Sequence, residues 1–108
     1  MERGIVEMGH VLDLFQDLIN ECTSVQEEIH KLNSLESDLK TKKLVLQSAA
    51  NLSSNQSDIE YFHSEIQKVY IEQQRVTKEK AQQQMRYRDL VRRVNVIETV
   101  AKQFEQKE

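Results

Sequence analysis

A heptad repeat in the second half of the chain is the feature that most restricts the fold. From Ile59, alternate steps of three and four residues reach fourteen positions, of which eleven are apolar or Tyr. A period of 3.5 residues keeps one stripe of a helix facing one partner helix, which is the condition for a coiled coil. We therefore predict a helix over residues 58–105. The fourteen positions form the seam of this second helix: Ile59, Phe62, Ile66, Val69, Gln73, Val76, Lys80, Gln83, Tyr87, Leu90, Val94, Ile97, Ala101 and Phe104.

The first half of the chain has the same spacing, which predicts a helix over residues 5–47. A second apolar row of Ile5, Leu12 and Ile19 flanks its first turns. A stripe two rows wide buries against more than one helix, so we expect this end to lie in a bundle of three or four helices. The first row comprises Met8, Val11, Phe15, Leu18, Cys22, Val25, Ile29 and Leu32.

The middle of the chain is expected to interrupt both patterns. The steps from Ile29 through Leu32 and Leu35 to Leu39 are three, three and four residues. Two successive steps of three are a stammer, which overwinds a coiled coil locally. Between residues 47 and 58, six of twelve residues are Ser or Asn, which compete for backbone hydrogen bonds. We predict a break at 48–57, with Ser57 and Glu60 as a capping box. A hairpin centred near residue 53 is favoured over one continuous helix.

Charge is distributed in a way that suits such a hairpin. Residues 1–39 carry nine acids and two bases, whereas residues 68–93 carry eight bases and three acids. The hairpin would bring a basic face of the second helix near acids of the first, favouring antiparallel pairing. The basic face comprises Arg86, Arg88, Arg92 and Arg93, and the facing acids are Asp13, Asp17 and Glu21. Polar seam residues cost stability but specify register, the role expected for Gln73, Lys80 and Gln83.

Composition excludes several other classes of protein. The chain has no Pro and two Gly, so it lacks the turn residues of β and α/β folds. No apolar run approaches the roughly 18 residues of a membrane span. The single cysteine, Cys22, cannot form an intramolecular disulfide and is expected to be a buried structural thiol. We expect a cytoplasmic protein, with nuclear or cytoskeleton-associated location as alternatives.

Candidate chemical sites are few. Glu27/His30 and Glu60/His63 have the Glu-x-x-His spacing of di-metal helical bundles, but both pairs lie off the apolar seams. No phosphate-binding glycine loop or nucleophile triad is present, and two helices form little concave surface. We therefore expect no catalytic residue, no metal, no cofactor, no small-molecule substrate and no nucleic acid.

Function is therefore expected to come from helix pairing. In size and heptad content the chain resembles the small coiled-coil subunits of kinetochore, ciliary-transport, augmin-like and vesicle-tethering assemblies. The heptads and the half-covered seams predict an all-α, non-enzymatic scaffold subunit whose antiparallel helical hairpin is completed by other coiled-coil chains, with hetero-oligomers favoured over homo-oligomers. The expected partner interface comprises Met8, Leu12, Phe15, Leu18, Ile19, Val25, Ile29, Ile66, Val69, Leu90, Val94, Ile97 and Phe104.

A different function is the alternative. The basic face of the second helix would suit a small helical-hairpin chaperone, or a module that binds an acidic polymer such as a microtubule. The whole chain has a pI of about 5.7, and three acids lie among the eight bases of residues 68–93. Interhelical ion pairs are therefore the favoured role of the arginines.

Overall fold

Two long helices account for the fold. The computed structural model describes the backbone of residues 2–106 and the side chains of residues 7–105. Helix α1 spans Glu2–Leu52 and helix α2 spans Gln56–Gln106. The predicted all-α class and antiparallel helical hairpin are confirmed. The side chain of Ile5, in the predicted second apolar row, lies outside the described residues.

The connection between the helices is shorter than the predicted break at 48–57. Only residues 53–55 are non-helical, so 48–52 belong to α1 and 56–57 to α2. The helix continues through this polar stretch because Ala49 and Ala50 remain on its packed face, and no Gly or Pro ends it earlier. At the end of α1, the Ser53 backbone N–H and hydroxyl both donate to the Ala49 carbonyl, at 3.1 and 2.7 Å.

Asn55 starts α2, in place of the predicted capping box at Ser57 and Glu60. Its Oδ1 accepts a hydrogen bond of 2.8 Å from the Ser57 backbone N–H, and its carbonyl accepts one from Ile59. A side-chain oxygen that accepts from the second helical N–H is the usual N-cap arrangement. Ser57 is thus a donor inside the first turn, where Asp58 adds a negative charge that the helix dipole favours.

The contacts divide the chain into two compact units. The first, the terminal unit, comprises Met1–Glu28 and Gln83–Glu108, and the second, the turn unit, comprises Ile29–Gln82. Each unit contains one segment of α1 and one segment of α2.

The turn unit has a core of Leu32, Leu39, Val69 and Val76, with Leu35 and Leu46 packed against it. The predicted stammer at Leu35 is absent. Buried and half-buried positions on α1 keep an unbroken 3-4 spacing, with charged residues at two of them. The aliphatic stems of such residues can fill a seam while their charged ends reach solvent or a partner. These seam positions are Ile29, Leu32, Glu36, Leu39, Lys43, Leu46 and Ala50.

The terminal unit buries an apolar seam. Its core residues are Leu18, Val25, Leu90 and Val94. Its other predicted seam positions, from Met8 to Cys22 on α1 and from Gln83 to Phe104 on α2, are half-buried. Each fully buried Leu or Val side chain contributes about 1.5–3 kcal/mol to folding.

Candidate helix-pairing surfaces

The polar seam of the turn unit contains an ion pair. Lys80 Nζ lies 3.5 Å from Glu36 Oε1, and the two side chains are 24% and 47% exposed. Gln73, the other polar seam residue predicted for this unit, is half-buried. Because the pair is partly solvated, its net contribution is at most about 1 kcal/mol. The register role expected for Lys80 stays a prediction. Sequence reasoning missed Glu36, which an unbroken 3-4 spacing from Leu32 would have placed on the seam.

Two further contacts join the helices through tyrosines. In the turn unit, Lys43 Nζ lies 5.9 Å from the centre of the Tyr70 ring, a cation–π distance. In the terminal unit, Gln26 Nε2 donates a hydrogen bond of 2.8 Å to the Tyr87 hydroxyl. Gln83, the remaining predicted register residue, is half-buried in this unit. Each unit therefore has one polar contact between its two helices that involves a tyrosine.

An ionic network stabilises the exposed surface of α2 in the turn unit. Arg75 donates to both Glu72 oxygens and to Glu79, at distances of 2.6–3.0 Å. The Arg75 hydrogen bond lowers the pKa of Glu72, and the Glu72 carboxylate raises the pKa of Arg75. A hydrogen bond to Glu65 likewise raises the pKa of Lys68. All these pairs are three or four residues apart, so they support the helix itself.

The basic face pairs with acids only in part. Arg86 lies 3.9 Å from Glu21 across the terminal unit, and Arg92 lies 3.3 Å from Asp89 on its own helix. Arg88 and Arg93 are exposed and make no ion pair within the described residues. Of the expected contacts between the basic face and acidic α1, the described residues thus show the one between Arg86 and Glu21.

The hairpin itself covers much of the predicted partner interface. Five of its thirteen residues are buried in the chain's own seam, and seven are half-buried. Leu12 alone is exposed, with 57% of its surface accessible. The buried five are Leu18, Val25, Val69, Leu90 and Val94, and the half-buried seven are Met8, Phe15, Ile19, Ile29, Ile66, Ile97 and Phe104.

Two rows of α1 outside the seam contain no charged residue and include large exposed apolar side chains. In the turn unit, the outer stripe is defined by Thr41, Leu44, Val45, Ser48 and Leu52, of which Leu52 is 87% exposed. In the terminal unit, the neutral stripe is defined by Gly9, Leu12, Gln16, Ile19, Thr23 and Gln26. The predicted second apolar row contained Leu12 and Ile19, but sequence reasoning missed the outer stripe. The sequence pattern that could have predicted the outer stripe is a row of uncharged residues at helical spacing, on the face opposite the seam.

The candidate metal and thiol residues remain dispersed. Glu27, His30, Glu60 and His63 are all exposed. Within the described part of the chain, no three His, Cys, Asp or Glu residues are grouped so that they could hold a metal ion. Cys22 is half-buried on the α1 seam.

Among the described residues, neither helix has a stretch long and apolar enough to cross a membrane. Comparison with known proteins found no matching family model, no matching curated protein and no matching solved structure.

Proposed function

We propose that this chain is a non-enzymatic assembly subunit, which pairs through its outer stripe with helices of other coiled-coil chains. The complexes it would join are of the cytoskeletal, kinetochore, ciliary or trafficking type, in the cytoplasm or nucleus. The observation that carries the proposal is the exposure of Leu44, Val45 and Leu52 on a face that the hairpin seam does not use. Several large apolar side chains exposed on one helix face are typical of a site of protein association.

The amount of exposed surface supports the proposal. The chain exposes 8343 Å². A compact monomer of 12.7 kDa would expose about 6,200 Å² according to the general scaling with mass. A stable protein interface buries roughly 1,200–2,000 Å² over both partners. The chain therefore has ample surface to offer a partner without disturbing its own seam.

The mechanism is geometric. The seam holds α1 and α2 together, while the outer stripe faces away from α2 and remains available to a further helix. Val45, Ser48 and Leu52 follow the 3-4 spacing of a helix-pairing row, and Leu44 widens it. No charged residue lies on the stripe, so docking an apolar row of a partner would desolvate no ion on this side.

Site-specific photo-crosslinking in cells tests this function. A photoreactive residue at Leu44 or Leu52 should crosslink to a discrete set of other coiled-coil chains. The same residue at Lys78, which is exposed on α2 of the same unit, serves as the matched control and should give no such products. Equal crosslinking from all three positions, or none from the outer stripe, would refute the proposal.

A second candidate function is the binding of an acidic polymer by the basic face of α2. The observation that favours it is the exposure of Arg88 and Arg93 without an acidic partner. Co-sedimentation with microtubules should then fall steeply with salt and disappear in a charge-reversed R88E/R93E variant. The same two arginines changed to Gln provide a milder control, and binding that is indifferent to salt would exclude this candidate.

A further inference from the structure

The neutral stripe of the terminal unit forms a second helix-pairing row beside the seam. Its six residues follow the spacing 3-4-3-4-3, shifted by one position from the seam row that starts at Met8. Gly9 has open space around the position of a Cβ, and Leu12 is exposed. A row with this spacing and a small residue near one end would admit another helix at close range.

Charge distinguishes this stripe from the rest of the unit. None of its residues is ionisable, although charged residues make up 31% of the chain. The acids of α1, such as Asp17 and Glu21, lie on other faces of the helix. An uncharged row can face an identical row without repulsion, which is what a two-fold symmetric interface requires.

The corresponding row of α2, which is also shifted by one position from its seam, carries one positive and one negative side chain. Arg88 and Glu98 flank Val91 and Asn95 on the same row of α2, and both charged side chains are exposed. Neither makes an ion pair within the described residues. Their midpoint lies at residue 93 of α2.

The contacts between the helices relate this midpoint to the neutral stripe. Gln26 bonds to Tyr87, and Glu21 pairs with Arg86. Because the helices are antiparallel with equal rise, the centre of the neutral stripe, between Gln16 and Ile19, lies level with residues of about 90–95 on α2. The centre of the uncharged row and the centre of the Arg88–Glu98 interval therefore lie at the same height in the terminal unit.

We propose that a second copy of this chain docks on this face, related by a two-fold axis that passes at the level between Gln16 and Ile19. The neutral stripes of the two α1 helices then pack antiparallel, with Leu12 of each copy near Thr23 of the other and Gln16 near Ile19. Arg88 of each copy faces Glu98 of the second copy across the α2 pair. The result is a four-helix bundle with two equivalent ion pairs.

The charges also exclude the other symmetric arrangement of the same face. If α1 of one copy packed on α2 of the other, Arg88 and Glu98 would both lie opposite the uncharged stripe. Two desolvated charges would then have no partner, which costs stability. The homodimer is independent of the proposed outer-stripe function, since it uses a different unit and a different row of α1.

Sedimentation equilibrium of the purified full chain over a dilution series tests the proposal. We expect a helical species with twice the 12.7 kDa mass of one chain, which dissociates on dilution. L12D should weaken this dimer on the order of a hundredfold or more, because each interface would bury an unpaired charge. L44D, in the outer stripe, is the matched control and should leave the dimer mass unchanged.

A charge swap tests the arrangement without introducing a charge into the apolar row. R88E should weaken the dimer about tenfold, because it places like charges at two equivalent positions. The double variant R88E/E98R should restore the affinity. A monomeric wild-type chain with helical circular dichroism, a dimer unaffected by L12D, or a double variant as weak as R88E would each overturn the homodimer. None of these results bears on crosslinking from Leu44 and Leu52. The homodimer can therefore be refuted while the outer-stripe function stands, and the reverse.

Discussion

The two units of the hairpin are built on the same heptad spacing but fill it differently. In the terminal unit, the seam is almost wholly apolar. In the turn unit, Glu36, Lys43, Gln73 and Lys80 occupy seam positions among the apolar residues. An apolar seam provides affinity but tolerates slippage, whereas polar seam residues sacrifice some affinity for one register. The same heptad spacing therefore accommodates an almost wholly apolar seam in one unit and a partly charged seam in the other.

The largest expected effect lies in the apolar seam of the terminal unit. Leu90 is 1% exposed, so L90A should lower the free energy of unfolding by about 2–5 kcal/mol, through lost burial and a residual cavity. Urea denaturation followed by circular dichroism measures the change. L52A removes the same atoms from a side chain that is 87% exposed, and it should change stability by no more than about 0.5 kcal/mol. Equal effects of the two substitutions would contradict the assignment of Leu90 to the core.

A smaller effect of opposite sign is expected from the polar seam of the turn unit. Replacing the Glu36–Lys80 pair by leucines in E36L/K80L should stabilise the hairpin by about 1–2 kcal/mol, because the partly desolvated charges are removed. The single variant K80L leaves Glu36 without its partner and should gain less. A double-mutant cycle in urea separates the two effects.

The E36L/K80L variant also tests whether the ion pair specifies the register of the two helices. If the pair sets register, E36L/K80L should form a broader distribution of oligomers than the wild type in sedimentation velocity. An unchanged distribution together with higher stability would show that the pair contributes nothing to register, and that the difference between the two units is one of affinity alone.

The cap at the start of α2 is expected to contribute about 1 kcal/mol. N55A removes the acceptor of the Ser57 N–H and should destabilise the turn unit by that amount. N55D keeps an oxygen in the same place and should retain most of the stability. Amide hydrogen exchange at residues 57–60 localises the effect, since a lost cap increases fraying there before it affects the terminal unit. Uniform exchange changes in both units would indicate a role other than capping.

The smallest expected effect is the pH dependence of the Glu72–Arg75 pair. The pKa of Glu72 is lowered by the Arg75 hydrogen bond, so folding favours the carboxylate over its protonated form. Its stabilising contribution is present above the ordinary glutamate pKa and is lost as pH falls through the lowered value. In a side-chain NMR titration, R75Q should return the Glu72 pKa towards the ordinary range. High salt should reduce the difference between the two proteins, since the pair is solvent-exposed.

The position of the α2 seam was predictable because heptad spacing is a property of the chain alone. All fourteen predicted positions, including the polar ones, are buried or half-buried. The break was predictable in place but not in length, since Ser and Asn weaken a helix only slightly when neighbouring alanines still pack. Asn55 as the cap was missed because Ser57 and Glu60 matched a commoner motif two residues later.

The α1 seam was harder to predict than the α2 seam. A row of leucines at Leu32, Leu35 and Leu39 suggested a register shift, whereas the structure keeps Glu36 on the seam and leaves Leu35 beside it. Glu36 lies there 3.5 Å from Lys80 of the other helix. Following the leucines gave the wrong register, whereas the plain 3-4 spacing places the charged Glu36 on the seam.

The sequence by itself determined the helical class, the two-helix organisation and the residues of the α2 seam, because these depend on local propensity and on a period of 3.5 residues. Tertiary structure alone decided which predicted interface residues the chain covers itself. It also decided which charges find partners and which apolar rows remain exposed. These outcomes depend on the relative height of two helices, and that height is set by contacts between residues as far apart as Gln26 and Tyr87.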